Sequence, residues 1–172
     1  YTTKVAGGSA IANPVWVSSQ YLGRCQNPAY NSVSGLLSFL FMERPGFEAD
    51  RLQLAILNMA SGVITNATTT WDYSIGGQTW VNPTTLIIDT DSGRDHGLFY
   101  YSTNTPNTAP VPYVRDGDAT SVLSDATGRI YYMFNSWQSP TNLYFTQRNP
   151  GGNVFNGTQL TNVNPSMPPM VN

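Results

Sequence analysis

Charge is what this chain has least of. Only 10% of its 172 residues are charged, against roughly 25% in an ordinary intracellular domain. Lys4 is the one lysine, and Glu43 and Glu48 are the only glutamates. The residues that usually solvate exposed helices are therefore nearly missing, which argues against a helical protein. A net charge of −2 with so little lysine leaves no basic stripe. Counterion release would add little to nucleic-acid affinity, so nucleic acid is not an expected partner, nor is an anionic membrane surface. Cys25 stands alone, which rules out an internal disulfide and any zinc site of several cysteines. Its expected role is that of a small buried hydrophobe. His96 is the single histidine, so any histidine-dependent chemistry has to run through it. No apolar stretch reaches the roughly 18 residues of a membrane-spanning helix. The longest, Gly35 to Met42, has the length of a strand, and no membrane insertion is expected.

What is present fits a β protein. Hydrophobic residues make up 40% of the chain and aromatics 12%, enough for a packed core and against disorder. Thr, Ser, Asn, Gly and Pro dominate the remainder, a composition of strands and turns. The length suits one domain, 1–172, able to bury roughly 70% of its unfolded surface. Gly7-Gly8, Asn13-Pro14 and Asn27-Pro28 mark about 1–34 as an irregular lead-in, with one short extended piece at Val15-Trp16-Val17. Pro165, Pro168 and Pro169 mark about 162–172 as an extended tail. The chain starts at Tyr1 without a signal peptide, which reads as a processed product or an excerpt of a longer polypeptide.

Strand signals run between these ends. Leu36 to Met42 is apolar but for Ser38, as in a strand covered on both faces. Arg51 to Asn58 follows, with Leu52, Leu54 and Ile56 on one face, although a helix can also be drawn through Phe47 to Met59. Further strands are expected within 62–65, 68–70, 71–74, 79–81, 86–89, 98–102, 112–114, 121–123, 129–135 and 143–146. Many short strands separated by Gly-, Asn- and Pro-rich turns predict an all-β fold, an antiparallel sandwich or barrel with long loops. Two aromatic stretches echo one another, after Gly93-Arg94 and after Gly128-Arg129. Paired hairpins explain this echo as well as duplicated propeller blades do, and a closed propeller needs more repeats than this length holds.

The most polar cluster is Asp89-Thr90-Asp91-Ser92-Gly93-Arg94-Asp95-His96. Asp89, Asp91 and Asp95 on one tight turn match half of a calcium loop, with Gly93 and Tyr100 where further ligands belong. Calcium is thus a candidate ion, with no other cofactor expected. Ser92, His96 and one of the three aspartates offer a hydrolase reading, but no nucleophile elbow surrounds Ser92. A structural His96, capping a loop or paired with Asp95, is favoured over catalysis. Gly77-Gln78-Thr79-Trp80 matches the end of a sialidase Asp-box whose start is missing, and a hairpin turn accounts for it. Asn66-Ala67-Thr68 and Asn156-Gly157-Thr158 fit the glycosylation pattern, one that arises by chance in so Asn- and Thr-rich a chain.

Aromatics are the richer signal. Tyr100, Tyr101, Tyr113, Tyr131, Tyr132, Trp137 and Tyr144 lie among amide- and hydroxyl-rich loops. Most belong in the core, with one or two at a rim where a flat ring could meet a sugar. The candidate binding set is Trp137, Tyr101, Asp91, Arg94, Asp95, His96 and Asp116, with Trp137 the best candidate for exposure. An acidic sugar would need a single arginine such as Arg94, Arg115 or Arg129.

Gly128 to Trp137, followed by Leu143-Tyr144-Phe145, resembles the late strand of calicivirus protruding domains, where an aromatic strand runs into an Asp-Ser-Trp-like step. About twenty residues carry this resemblance to spike domains of small non-enveloped, calicivirus-like or picorna-like capsids. It implies a β-rich surface domain on a virion, contacting other capsid subunits and attaching to a host glycan or protein receptor. A secreted or phage-borne carbohydrate-binding module is the alternative, and a hydrolase working through His96 the second alternative.

Overall fold

In a computed structural model, residues 16–93, 95–147 and 157–163 are described. Among them every regular element is a strand, twelve in all, and the strands form three four-stranded antiparallel sheets. The first sheet contains β1 (Cys25–Asn31), β2 (Leu36–Phe41), β3 (Gln53–Asn58) and β4 (Ile64–Asn66). The second contains β5 (Ile75–Asn82), β6 (Thr85–Asp91), β7 (His96–Ser102) and β8 (Val111–Val114). The third contains β9 (Asp118–Ser124), β10 (Arg129–Ser136), β11 (Ser139–Gln147) and β12 (Thr158–Gln159). Each sheet is a plain meander in which neighbours in sequence are neighbours in space. The expected all-β class is observed. Residues 47–59 contain no helix, and β3 is a strand as the alternation of Leu52, Leu54 and Ile56 requires.

The sheets stack face to face in chain order. Leu40, Leu54 and Ile56 of the first sheet meet Ile75, Leu86, Ile88, Phe99 and Tyr101 of the second in one buried cluster, closed by Ala67 and Trp71. Alternate residues of the second sheet, Val81, Ile87, Leu98 and Val114, point the other way onto Ala119, Ile130 and Tyr132 of the third. The second sheet is therefore a central layer buried on both faces, and its run Leu86-Ile87-Ile88 is apolar without alternation for that reason. The same logic governs β2: Leu40 faces the second sheet, while Leu37, Phe39 and Phe41 lie on the outer face beneath Tyr21 and Val17.

The first strands of the sheets lie side by side. Asn31 donates to the Asn82 carbonyl at 2.9 Å and Trp80 Nε1 to the Ala29 carbonyl at 2.9 Å, joining β1 to β5. Ser124 and Thr79 hydroxyls join β9 to β5 in the same way. With Asn27 near Gly76 and Asn31 near Asn82, β1 runs parallel to β5; β9 does too. The first strands of the three sheets thus run parallel to one another, with β5 between β1 and β9.

Several expectations need correction. The lead-in expected over 1–34 contains β1, which the sequence hides because Asn27-Pro28 reads as a turn. Asn27 instead takes a φ of +51° inside a bulge between Gln26 and Ala29, where a proline on an edge strand costs no ladder bond. Trp16 and Val17 form no strand, and Val15 lies outside the described residues. The segments 68–70 and 71–74 are a turn and a loop, although Thr68 and Trp71 are buried. Cys25 is exposed rather than buried, since it begins the edge strand. The two aromatic stretches are β7 and β10, the third strand of one sheet and the second of the next, so their echo is not the structural repeat. Of the tail, only residues 162 and 163 are described, without regular structure.

Candidate functional site

One end of the stack gathers the connections β6–β7, β8–β9 and β10–β11, and with them most of the sequence-derived site. Strand periodicity builds its centre. Asp89 and Asp91 stand two residues apart on β6, hence on one face, and His96 is the cross-strand partner of Asp91. The imidazole is bracketed by the two carboxylates: Nδ1 lies 2.8 Å from Asp91 Oδ1 and Nε2 lies 3.2 Å from Asp89 Oδ1. The His96 backbone N–H donates to Asp118 Oδ1 at 3.1 Å, linking the second sheet to the start of the third. The turn between the strands closes through Ser92, whose N–H and hydroxyl both donate to the Asp95 carbonyl.

Asp89 occupies space that two glycines leave. A β-carbon on Gly76 would come within 2.4 Å of Asp89 Oδ1, and one on Gly77 within 2.6 Å of Oδ2. Both glycines sit at a bulge in β5, between Ile75 and Gly77, rather than in the hairpin turn their sequence suggests. The Asp-box likeness accordingly falls inside a strand.

Electrostatics follow from this half-buried placement. Burial pushes the Asp89 carboxyl above the ordinary carboxylate range despite the hydrogen bond and charge of His96. Burial pulls His96 down, but hydrogen bonds to Asp91 and Asp89 and their charges outweigh it, and its pKa is raised. Asp91 is largely exposed, with 88% of its side chain accessible against 22% for Asp89.

This geometry bears on each chemical reading of the cluster. A Ser–His–Asp mechanism needs one imidazole nitrogen on the serine hydroxyl and the other on a carboxylate. Here both nitrogens face carboxylates and the Ser92 hydroxyl donates to a carbonyl, so Ser92, His96, Asp89, Asp91 and Asp95 do not form a triad. The partners of His96 are Asp91 and Asp89 rather than Asp95. For calcium, Asp89 and Asp91 are turned onto His96. Among the described residues, no three His, Cys, Asp or Glu side chains converge as a metal would require.

The binding set divides. Trp137, 85% exposed, projects from the β10–β11 connection at the same end as Asp91, His96 and the exposed Asp116. Asp116 sits in the β8–β9 connection with φ of +66°. Tyr101 does not belong with them. It is 1% exposed in the cluster between the first two sheets, because its register on β7 points it at β3 and β6. Arg94 lies outside the described residues. Arg115 packs its guanidinium 5.8 Å from the Phe99 ring, and Arg129 lies at the same distance from Phe145 at the other end of its sheet. Asn66 of the first glycosylation pattern accepts the Tyr21 hydroxyl, and Asn156 of the second lies outside the described residues. Sequence reasoning missed Asp118 and the role of Gly76-Gly77. The glycine pair was the available signal, since glycines within a strand pattern mark a close approach.

No family model matches the chain. A stretch of 77 residues, 45% of the chain, is 31% identical to the probable dipeptidyl-peptidase 5 of Emericella nidulans and covers 11% of that protein. A stretch of 127 residues, 72% of the chain, is 29% identical to the probable dipeptidyl-peptidase 5 of Aspergillus niger and covers 17% of it. The chain thus matches less than a fifth of the length of these curated relatives. Among the described residues, no helix is long and apolar enough to cross a membrane.

Proposed function

We propose that this chain forms blades of a β-propeller in a peptidase of the dipeptidyl-peptidase 5 kind, as a scaffold and not the seat of bond cleavage. The observation that carries this reading is the stack of four-stranded meanders with parallel first strands. Partial likeness to two fungal dipeptidyl-peptidases supports the choice of enzyme class. The engagement of both His96 nitrogens by carboxylates supports a non-catalytic role. The test compares residues 1–172 with the full product of the gene that encodes them, using a fluorogenic dipeptidyl amide. Release of the dipeptide by the full product and none by residues 1–172 is expected. Cleavage by residues 1–172 that His96→Ala abolishes would overturn the reading.

A second reading, an attachment surface on a virion or in an extracellular module, is favoured by the exposed Trp137 at the same end of the stack as polar Asp91 and Asp116. A glycan-array signal lost in Trp137→Ala would select it.

A further inference from the structure

Carboxylates accept hydrogen bonds and cannot donate them, so an imidazole between two of them can satisfy both only when each of its nitrogens carries a proton. His96 is in that position, 2.8 Å from Asp91 and 3.2 Å from Asp89. A neutral ring has one N–H. It must release either the exposed Asp91 or the half-buried Asp89, and the latter would lose its hydrogen-bonding partner beside Gly76 and Gly77. The same residue holds two sheets together through its backbone N–H on Asp118.

We propose that His96 is a pH-responsive clasp: doubly protonated, it pins the β6–β7 turn and the junction between the second and third sheets, and neutral, it loosens both. The charged surroundings favour the protonated ring. Asp89 and Asp91 on β6 face it directly, Asp95 precedes it, and Asp118 at the start of β9 meets its backbone. Asp116 lies in the adjoining connection, and β5 contributes only the uncharged Gly76 and Gly77. The one described cation alongside is Arg115, directed towards Phe99. The sign follows from the raised pKa of His96 in the fold. Its stabilisation is complete below the unfolded value of about 6.5 and fades as pH rises through the higher folded value. Asp89, also raised, acts in the same direction at lower pH.

Because His96 is the only histidine, its ring resonances need no assignment. Nitrogen-15 NMR of the whole chain should show a midpoint above about 6.5, with both ring nitrogens protonated below it. In Asp91→Asn, a change at an exposed side chain, the midpoint should fall towards that value. Exchange of the His96 amide, corrected for base catalysis, should quicken about tenfold across the midpoint as one charge-assisted bond is lost. His96→Gln should show no such step. A midpoint at or below about 6.5 would overturn the proposal, and so would amide exchange that is the same on both sides of the titration.

Discussion

Asp125 shows how much local order a single carboxylate can impose on a turn. Its Oδ1 accepts the Thr127 N–H at 2.8 Å, the Thr127 hydroxyl at 2.7 Å and the Arg129 N–H at 3.1 Å, while Oδ2 accepts the Tyr131 hydroxyl at 3.0 Å. These bonds, led by that of the Thr127 hydroxyl, outweigh the opposing effect of desolvation and push the carboxyl down to about 2. The turn they organise joins β9 to β10 and contains Gly128 at φ of +80°. A depressed pKa contributes stability that is present above the unfolded value of about 3.9 and is lost as pH falls through the folded one. Wild-type protein should therefore lose part of its thermal stability between about pH 4 and 2. Asp125→Asn, with no charge to titrate there, should lack that portion, so the gap between the two melting temperatures narrows on acidification. A gap that stays constant from pH 5 to pH 2 would show that Asp125 is not held by these bonds.

At the scale of elements, what the sequence reveals depends on how a strand is buried. The strands β2, β3, β6, β7 and β10 are legible because their apolar runs or alternations mirror the faces they bury. An edge strand has less to show, and β1, exposed along most of its length with a proline in its bulge, looks like a loop. The candidate site was legible in part for a similar reason. Asp89, Asp91 and His96 are close in sequence and meet across one hairpin, whereas Asp118 and Gly77 reach the cluster from other strands. The misplacement of Tyr101 came from register: alternation on β7 sets it on the core face, which the run of aromatics 99–101 conceals. Register also makes a testable contrast. Leu54, fully buried between the first two sheets, should cost about 2–5 kcal/mol when replaced by alanine. Leu123, 68% exposed on the outer face of the third sheet, should change stability by no more than about 0.5 kcal/mol. Urea denaturation measures both. A large loss at Leu123 would mean that β9 is slipped by one residue, which exchanges its two faces.

For the whole molecule, serial stacking makes the middle sheet the one that both interfaces depend on. Neither outer sheet touches a core cluster of the other: one cluster joins the first and second sheets, a second joins the second and third. Stability should then be distributed as in a short repeat array, with each layer held by its neighbours and the ends opening first. The outer face of the first sheet is partly covered by Tyr21 and Val17. The third sheet has the Tyr131 and Phe145 rings in tilted contact on its outer face, with Leu123 open to solvent. Its last strand, β12, consists of two exposed residues paired with Tyr144 and Phe145. By contrast Leu86, Ile87, Ile88 and Leu98, on the adjacent β6 and β7, are at most 1% exposed, and both strands lie within the sheet. Opening them requires parting an inter-sheet cluster as well as breaking the ladder. Native-state hydrogen exchange should therefore be slowest for amides of β6 and β7 and fastest for those of β12, with β2, β3 and β10 between. If instead the amides of β11 and β12 exchanged as slowly as those of β6, the third sheet would be as enclosed as the second, and the serial order of layers would be wrong.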